Sequence, residues 1–168
     1  PKKTSGISDW RVSSMRTEST EFFFFHKNLE TVRSTDTPDL NVTVYLAHDE
    51  RLGEASFSVY SSYDEEKITQ EIEKAKKKAA IIANQPYSLP ENESGEYVSS
   101  SNFANYRPHE LASLISKACF EADCIEGGSI NALEIFVYKD TVSIKNSRGI
   151  DKTQVKYRAM VEAIPTFN

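Results

Sequence analysis

Three histidines, two cysteines and 25 acidic residues are the groups in this chain that could hold a metal, attack a carbonyl or relay a proton. His109-Glu110 is the first to consider, because His-Glu opens the zinc-peptidase helix motif. Zinc needs a second imidazole one helical turn later, so that both rings converge on one ion. Ser113 and Leu114 stand where that histidine belongs. His26 falls in a predicted strand and His48 in a predicted turn, without ligand spacing. Glu110 is therefore expected to favour the positive end of a helix dipole instead.

The other reactive groups point the same way. Cys119 and Cys124 lie in or just after a predicted helix, with no local signature pairing either with a histidine, and are expected to be small buried apolar side chains. Gly127-Gly128 follows a helix instead of preceding one, so it does not form a phosphate-cradling loop. Lys74, Lys76, Lys77 and Lys78 are accompanied by Glu71 and Glu73, so this run is expected to be a solvated, ion-paired helix face. No catalytic, cofactor-binding or metal-binding residue is assigned in this chain.

Composition bounds what these groups can serve. The 168 residues carry a formal charge of -5, with 39% hydrophobic and 27% charged residues. A chain of this length can bury roughly 70% of the surface its unfolded form exposes, which suits a single domain over residues 1–168 without disulfide or metal. The acidic balance disfavours direct nucleic-acid binding. No apolar run approaches the ~20 residues of a membrane helix. The Pro1 to Gly6 stretch has no apolar segment behind its lysines, and with two cysteines the expected compartment is the reducing cytoplasm. The sequence does not begin with Met, which suggests processing or trimming.

The elements that position these residues follow from periodicity. Trp10 to Met15 alternates, and Phe22 to Phe25 puts rings on both faces of a strand. Leu40 to Ala47 and Ala55 to Val59 alternate around a His48–Arg51 turn, predicting an antiparallel hairpin. Ser62 and Glu65 have capping-box spacing, and Ile68, Ile72, Ala75, Ala79 and Ile82 form the stripe of a helix of about 20 residues, stopped by Asn84 and Pro86. Gln85 to Tyr106 reads as a long loop. Pro108 then opens a second helix whose stripe is Leu111, Leu114, Ile115, Ala118 and Ala122. Ala132 to Tyr138, Val142 to Lys145 and Gln154 to Ala163 are further strands, with a turn at Asn146 to Gly149.

Strands, helix, loop, helix and strands in that order predict an α+β fold, an antiparallel or mixed β-sheet with two helices packed mainly on one face. The Phe22 to Phe25 and Leu133 to Tyr138 runs ask for cover on both faces, more than two helices give. The second face, or a sheet edge, is expected either to meet another domain or subunit or to be covered by the Gln85 to Tyr106 segment.

Several short segments in this order resemble one family. They are Trp10, the Phe-rich strand, Val42-Thr43-Val44-Tyr45, Leu52-Gly53-Glu54-Ala55-Ser56, the Ala-rich helix ending at Asn84, and Pro86-Tyr87-Ser88-Leu89-Pro90. Ala132-Leu133-Glu134-Ile135 and Val142 to Asp151, with its Asn-Ser-x-Gly turn, continue the likeness. Together they resemble the N-terminal domain of the TldD/PmbA family, cytoplasmic metallopeptidases historically labelled modulators of DNA gyrase. The resemblance implies zinc ligands on a His-Glu-x-x-x-His helix and a later cysteine, all in a C-terminal domain that this sequence lacks. No cofactor is therefore expected in this chain, and zinc is expected in the missing domain.

The resemblance further implies partners: the chain's own C-terminal domain and a second subunit, in a homodimer or a heterodimer with a paralogue, plus a peptide substrate for the full-length protein. An N-terminal domain of this kind shapes substrate access and subunit contacts. A sheet edge could hold a peptide by main-chain pairing, although the sequence does not indicate which strand has such an edge. The alternative is a stand-alone protein-interaction module without peptidase activity.

Overall fold

A computed structural model describes residues 6–167. In chain order they form β1 (Asp9–Phe25), β2 (Asn28–His48), β3 (Arg51–Ser58), α1 (Glu65–Ala79), β4 (Ser94–Val98), a short 3-10 helix (Asn102–Asn105), α2 (Pro108–Glu121), β5 (Gly128–Asn146) and β6 (Asp151–Phe167). The strands make a six-stranded sheet in the order β3-β2-β1-β5-β6-β4. β2 and β3 pair antiparallel from Asn41 opposite Ser58 to His48 opposite Arg51. Backbone bonds from His26 N to Asn131 O and from Ser147 N to Trp10 O run β1 and β5 antiparallel. The Asp151 N to Glu93 O and Ser99 N to Val155 O bonds advance together along both chains, so β4 lies parallel to β6 and the sheet is mixed. The fold is α+β, as the element order predicts.

The described residues divide into two compact units. The first holds residues 6–16, Pro38–Tyr97 and Thr141–Gln154; the second holds Thr17–Thr37, Val98–Asp140 and residues 155–167.

In the first unit, α1 packs Ile72 and Ala75 on Val42 and Val44 of β2, with Val12, Ala55, Phe57 and Ile68 around them. Two predicted details of this helix are corrected. Its N-cap is Asp64, not Ser62: the Asp64 carboxylate accepts the Lys67 N–H at 2.7 Å. Asp caps at least as well as Ser, and starting there sets Glu65 and Glu66 in the first turn, where the dipole favours them. The helix ends at Ala79, so Ile82 is no part of the stripe and is 42% exposed. Backbone bonds joining Leu52 and Asn84 in both directions capture the chain there. The segment after Pro86 then meets the opposite side of β2, where Leu89 is buried with Tyr45 and Leu52. Part of the supposed loop is thus the cover of the second face in this unit.

In the second unit, α2 covers Phe22, Leu133 and Ile135 through Ala112, with Ile115, Cys119 and Phe120 beside it. Pro108 takes the first helical position, as predicted. The buried stripe is rotated from the predicted one: Leu111, Ala112 and Ser116 are buried, whereas Leu114 is 51% exposed and Ala118 and Ala122 are exposed. The large Phe120 ring sets this rotation by packing edge-on against Phe24 at 5.8 Å. The supposed loop also contributes β4 and the 3-10 helix, and the two predicted strand segments between Ala132 and Lys145 are one strand, β5.

Candidate functional site

The sequence-selected reactive groups are dispersed and occupied by structural contacts. The His109 ring stands edge-on to Phe22 at 5.0 Å. His26 sits in the β1–β2 turn at positive φ against Phe25, and His48 Nδ1 contacts Asp49 at 2.8 Å. Glu110 accepts the Arg107 backbone N–H at 2.9 Å, which caps α2 and holds its carboxyl below the usual carboxylate range. Cys119 is half-buried in the core beneath α2, but Cys124 is exposed, since α2 stops before it. Among the described residues no three His, Cys, Asp or Glu side chains converge to hold a metal. These residues do not fit a zinc site. The lysine run is ion-paired as expected, Lys74 with Glu71 at 2.8 Å and Lys76 with Glu73 at 2.9 Å.

The Asn146 to Gly149 turn is a structural hub of the first unit. Asn146 Oδ1 accepts the Arg148 and Ile150 N–H groups at 2.9 and 3.0 Å, and its Nδ2 donates to Pro90 O at 2.7 Å. Arg148 forks onto Asp9, with Nη2 to Oδ2 at 2.8 Å, which holds the Asp9 carboxyl below its ordinary range. In the same unit the Tyr87 hydroxyl donates to Glu54, and burial together with that carboxylate raises the phenol well above its ordinary value.

The second unit carries an aromatic face opposite α2. α2 covers one side of its strands; the other side presents Phe23, Phe136 and Tyr138, half-buried and in mutual ring contact. Two cations lie over these rings, Arg33 at 5.0 Å from the Phe23 centroid and Arg158 at 3.6 Å from that of Tyr138. Asp140, 8% exposed, accepts Arg158 Nε at 2.8 Å and the Thr17 hydroxyl at 2.9 Å. Burial raises the Asp140 carboxyl, but Arg158 and Thr17 outweigh it and hold it below the ordinary value. This network was not found from the sequence. Its signal was an acidic residue two places after an apolar strand run, facing an alternating strand that carries an arginine.

On the α2 side of the same unit lies a cavity of about 240 Å³. Phe103, Tyr106, Pro108, Val137 and Tyr157 give it apolar walls, and the Lys139–Glu18 ion pair, at 3.1 Å, lies in its lining. It is large enough for one side chain and too small for the 300–1,000 Å³ typical of whole-ligand pockets.

No family model and no curated protein matches the sequence. Solved structures do match in fold. TldE from Thermococcus kodakarensis superposes with a TM-score of 0.58 at 18% identity, over 96% of this chain and 37% of that one. A candidate modulator of DNA gyrase from Thermotoga maritima gives 0.56 at 16% identity, over 95% and 36%. Another from Bacteroides thetaiotaomicron gives 0.62 at 15%, over 97% and 38%. The chain thus has the fold of part of these proteins, the group its sequence resembles, and spans under two-fifths of their length.

Proposed function

We propose that this chain is a non-catalytic domain of a TldD/PmbA-like zinc metallopeptidase, shaping substrate access and subunit contacts for proteolysis by the whole protein. The observation that carries the reading is the fold match over at least 95% of this chain to 36–38% of TldE and of two candidate modulators of DNA gyrase, the group the sequence resembles. The zinc ligands belong to another part of the parent protein, which acts in the cytoplasm on peptides, as a homodimer or with a paralogue. The Phe23–Phe136–Tyr138 face supports a role in contacts, because an aromatic face held by two arginines is suited to bury against a second surface.

The test begins with the natural reading frame. It is expected to continue past Asn168 into a His-Glu-x-x-x-His segment, and the whole protein to cleave peptides in a chelator-sensitive way that is lost when residues 1–168 are deleted. A stop codon after Asn168 defeats the reading and leaves the interaction module.

A further inference from the structure

From the structure we infer that the cavity of the second unit binds a free apolar α-amino acid, its side chain between Phe103, Tyr106 and Tyr157 and its zwitterionic head at the Lys139–Glu18 pair. The site lies wholly within that unit and goes beyond the domain role proposed above.

Strand alternation builds the site. Glu18 and Thr20 of β1 share the face of Phe22, and Val137 and Lys139 of β5 share that of Leu133 and Ile135, the face α2 covers. α2 begins only at Pro108, and the chain before it supplies the remaining wall through Phe103 and Tyr106. That wall is fixed, because the Ser101 hydroxyl accepts the Phe103 N–H at 3.2 Å and the Phe103 carbonyl accepts the Tyr106 N–H at 3.2 Å. With Pro108, Val137 and Tyr157 it encloses the cavity of about 240 Å³ beside the ion pair. A wall already in place spares a ligand the cost of ordering it.

The ion pair sets the charge of the ligand. A lone anion or cation parts Lys139 from Glu18 and satisfies only one of them. A zwitterion satisfies both, its carboxylate against Lys139 and its ammonium against Glu18. Lys139 Nζ and Glu18 Oε2 stand 3.1 Å apart. In an α-amino acid the ammonium nitrogen and the carboxyl carbon are about 2.5 Å apart, set by two bonds at one carbon. Opposed charges with such similar spacings exchange partners without either losing one. The two side chains are 43% and 40% exposed, so their own pairing contributes little stability and opening it costs little. The ligand side chain leaves the same carbon as both charges, so it enters the cavity next to the pair, and the aromatic walls favour phenylalanine. A dipeptide sets its two charges a further Cα step of about 3.8 Å apart, and the match is lost.

The test titrates the 168-residue chain with L-phenylalanine by calorimetry and follows backbone amide shifts. Saturable one-to-one binding is expected, with shifts centred on residues 18–20, 103–108, 137–139 and 157. Alanine keeps the head but lacks the ring, phenylalaninamide lacks the carboxylate, and N-acetylphenylalanine lacks the ammonium. Each of these, and glycylphenylalanine, should bind at least tenfold more weakly. Lys139→Gln should weaken phenylalanine about tenfold and leave phenylalaninamide unchanged. Glu18→Gln should weaken phenylalanine likewise and leave N-acetylphenylalanine unchanged.

Absent saturation, shifts centred elsewhere, or amide and acetyl derivatives that bind as well as phenylalanine would overturn the assignment. Glycylphenylalanine binding as tightly as phenylalanine would show a site for chain ends and overturn it too. The ligand series on the unaltered chain decides the question even where a variant perturbs folding. If the reading frame stops after Asn168 yet the charge dependence holds, the peptidase reading falls and the amino-acid site stands.

Discussion

The Arg158 guanidinium lies 3.6 Å from the centroid of the Tyr138 ring while its Nε donates to Asp140 at 2.8 Å. One side chain thus satisfies a buried carboxylate and caps an aromatic face. Lysine cannot do both, because its ammonium lacks the planar fork and stacks less well. Arg158→Lys is expected to cost about 1 kcal/mol in urea unfolding, and Arg158→Ala about 2–3 kcal/mol, since it leaves Asp140 buried without its cation. An Arg158→Lys variant as stable as wild type would refute the stacking contribution.

Asp140 and Asp9 both have carboxyls held below their ordinary values, so their ion pairs add stability that is full above the unfolded carboxylate value near 4 and is lost as pH falls through the lower folded values. Chemical unfolding between pH 7 and pH 2 should show the wild-type chain losing stability below about pH 4. Asp140→Asn should flatten part of that loss, being already less stable at pH 7. A variant with an unchanged acid limb would exclude Asp140 as a contributor.

Gly53 marks where β3 meets the end of α1. A Cβ built there falls 1.9 Å from the Ala79 carbonyl oxygen and 2.9 Å from that of Ile82, both rigid backbone. Gly53→Ala must push the strand and helix end apart, at a cost of about 3 kcal/mol or more, at the upper end of overpacking effects. Thermal melting should report it as a drop of roughly 6–12 °C. A melt within 1 °C of wild type would show that the two elements slide freely.

The helix cap separates what periodicity reads from what it does not. Asp64→Ala should cost about 1 kcal/mol by removing the 2.7 Å bond to Lys67 N, whereas Ser62→Ala should be neutral. The reverse order would restore the capping box that the spacing of Ser62 and Glu65 suggests.

Alternation located Val42 and Val44, the helical stripe Ile72 and Ala75, and an apolar run Leu133 and Ile135, because these side chains face a core and burial is what writes a pattern into sequence. The first half of β2 carries no such period. Residues 28–39 are exposed throughout, so polar and apolar positions are equally tolerated and the strand is invisible until Leu40. β4 was hidden for the same reason. The Arg158–Asp140–Thr17 network escaped because its parts are distant in sequence: Thr17, Asp140 and Arg158 meet only through the β1-β5-β6 order of the sheet.

Asn146 gives the sharpest test of the turn from Asn146 to Gly149. It is 7% exposed and makes three bonds that no other side chain reproduces together: two accepted N–H groups and one donation to Pro90 O. Alanine strands all three partners; the buried Ile150 N–H alone costs about 1–3 kcal/mol unsatisfied and the part-buried Arg148 N–H and Pro90 carbonyl add less, so Asn146→Ala should lose about 2–4 kcal/mol. Asp keeps both acceptor bonds but, when ionised, sets a carboxylate against the Pro90 carbonyl; protonated, it can donate there instead. Asn146→Asp should therefore be closer to wild type near pH 4 than at pH 7, judged by chemical unfolding against the wild-type chain at each pH. A deficit that does not shrink on acidification would mean that the Pro90 bond contributes nothing to holding this segment on the turn.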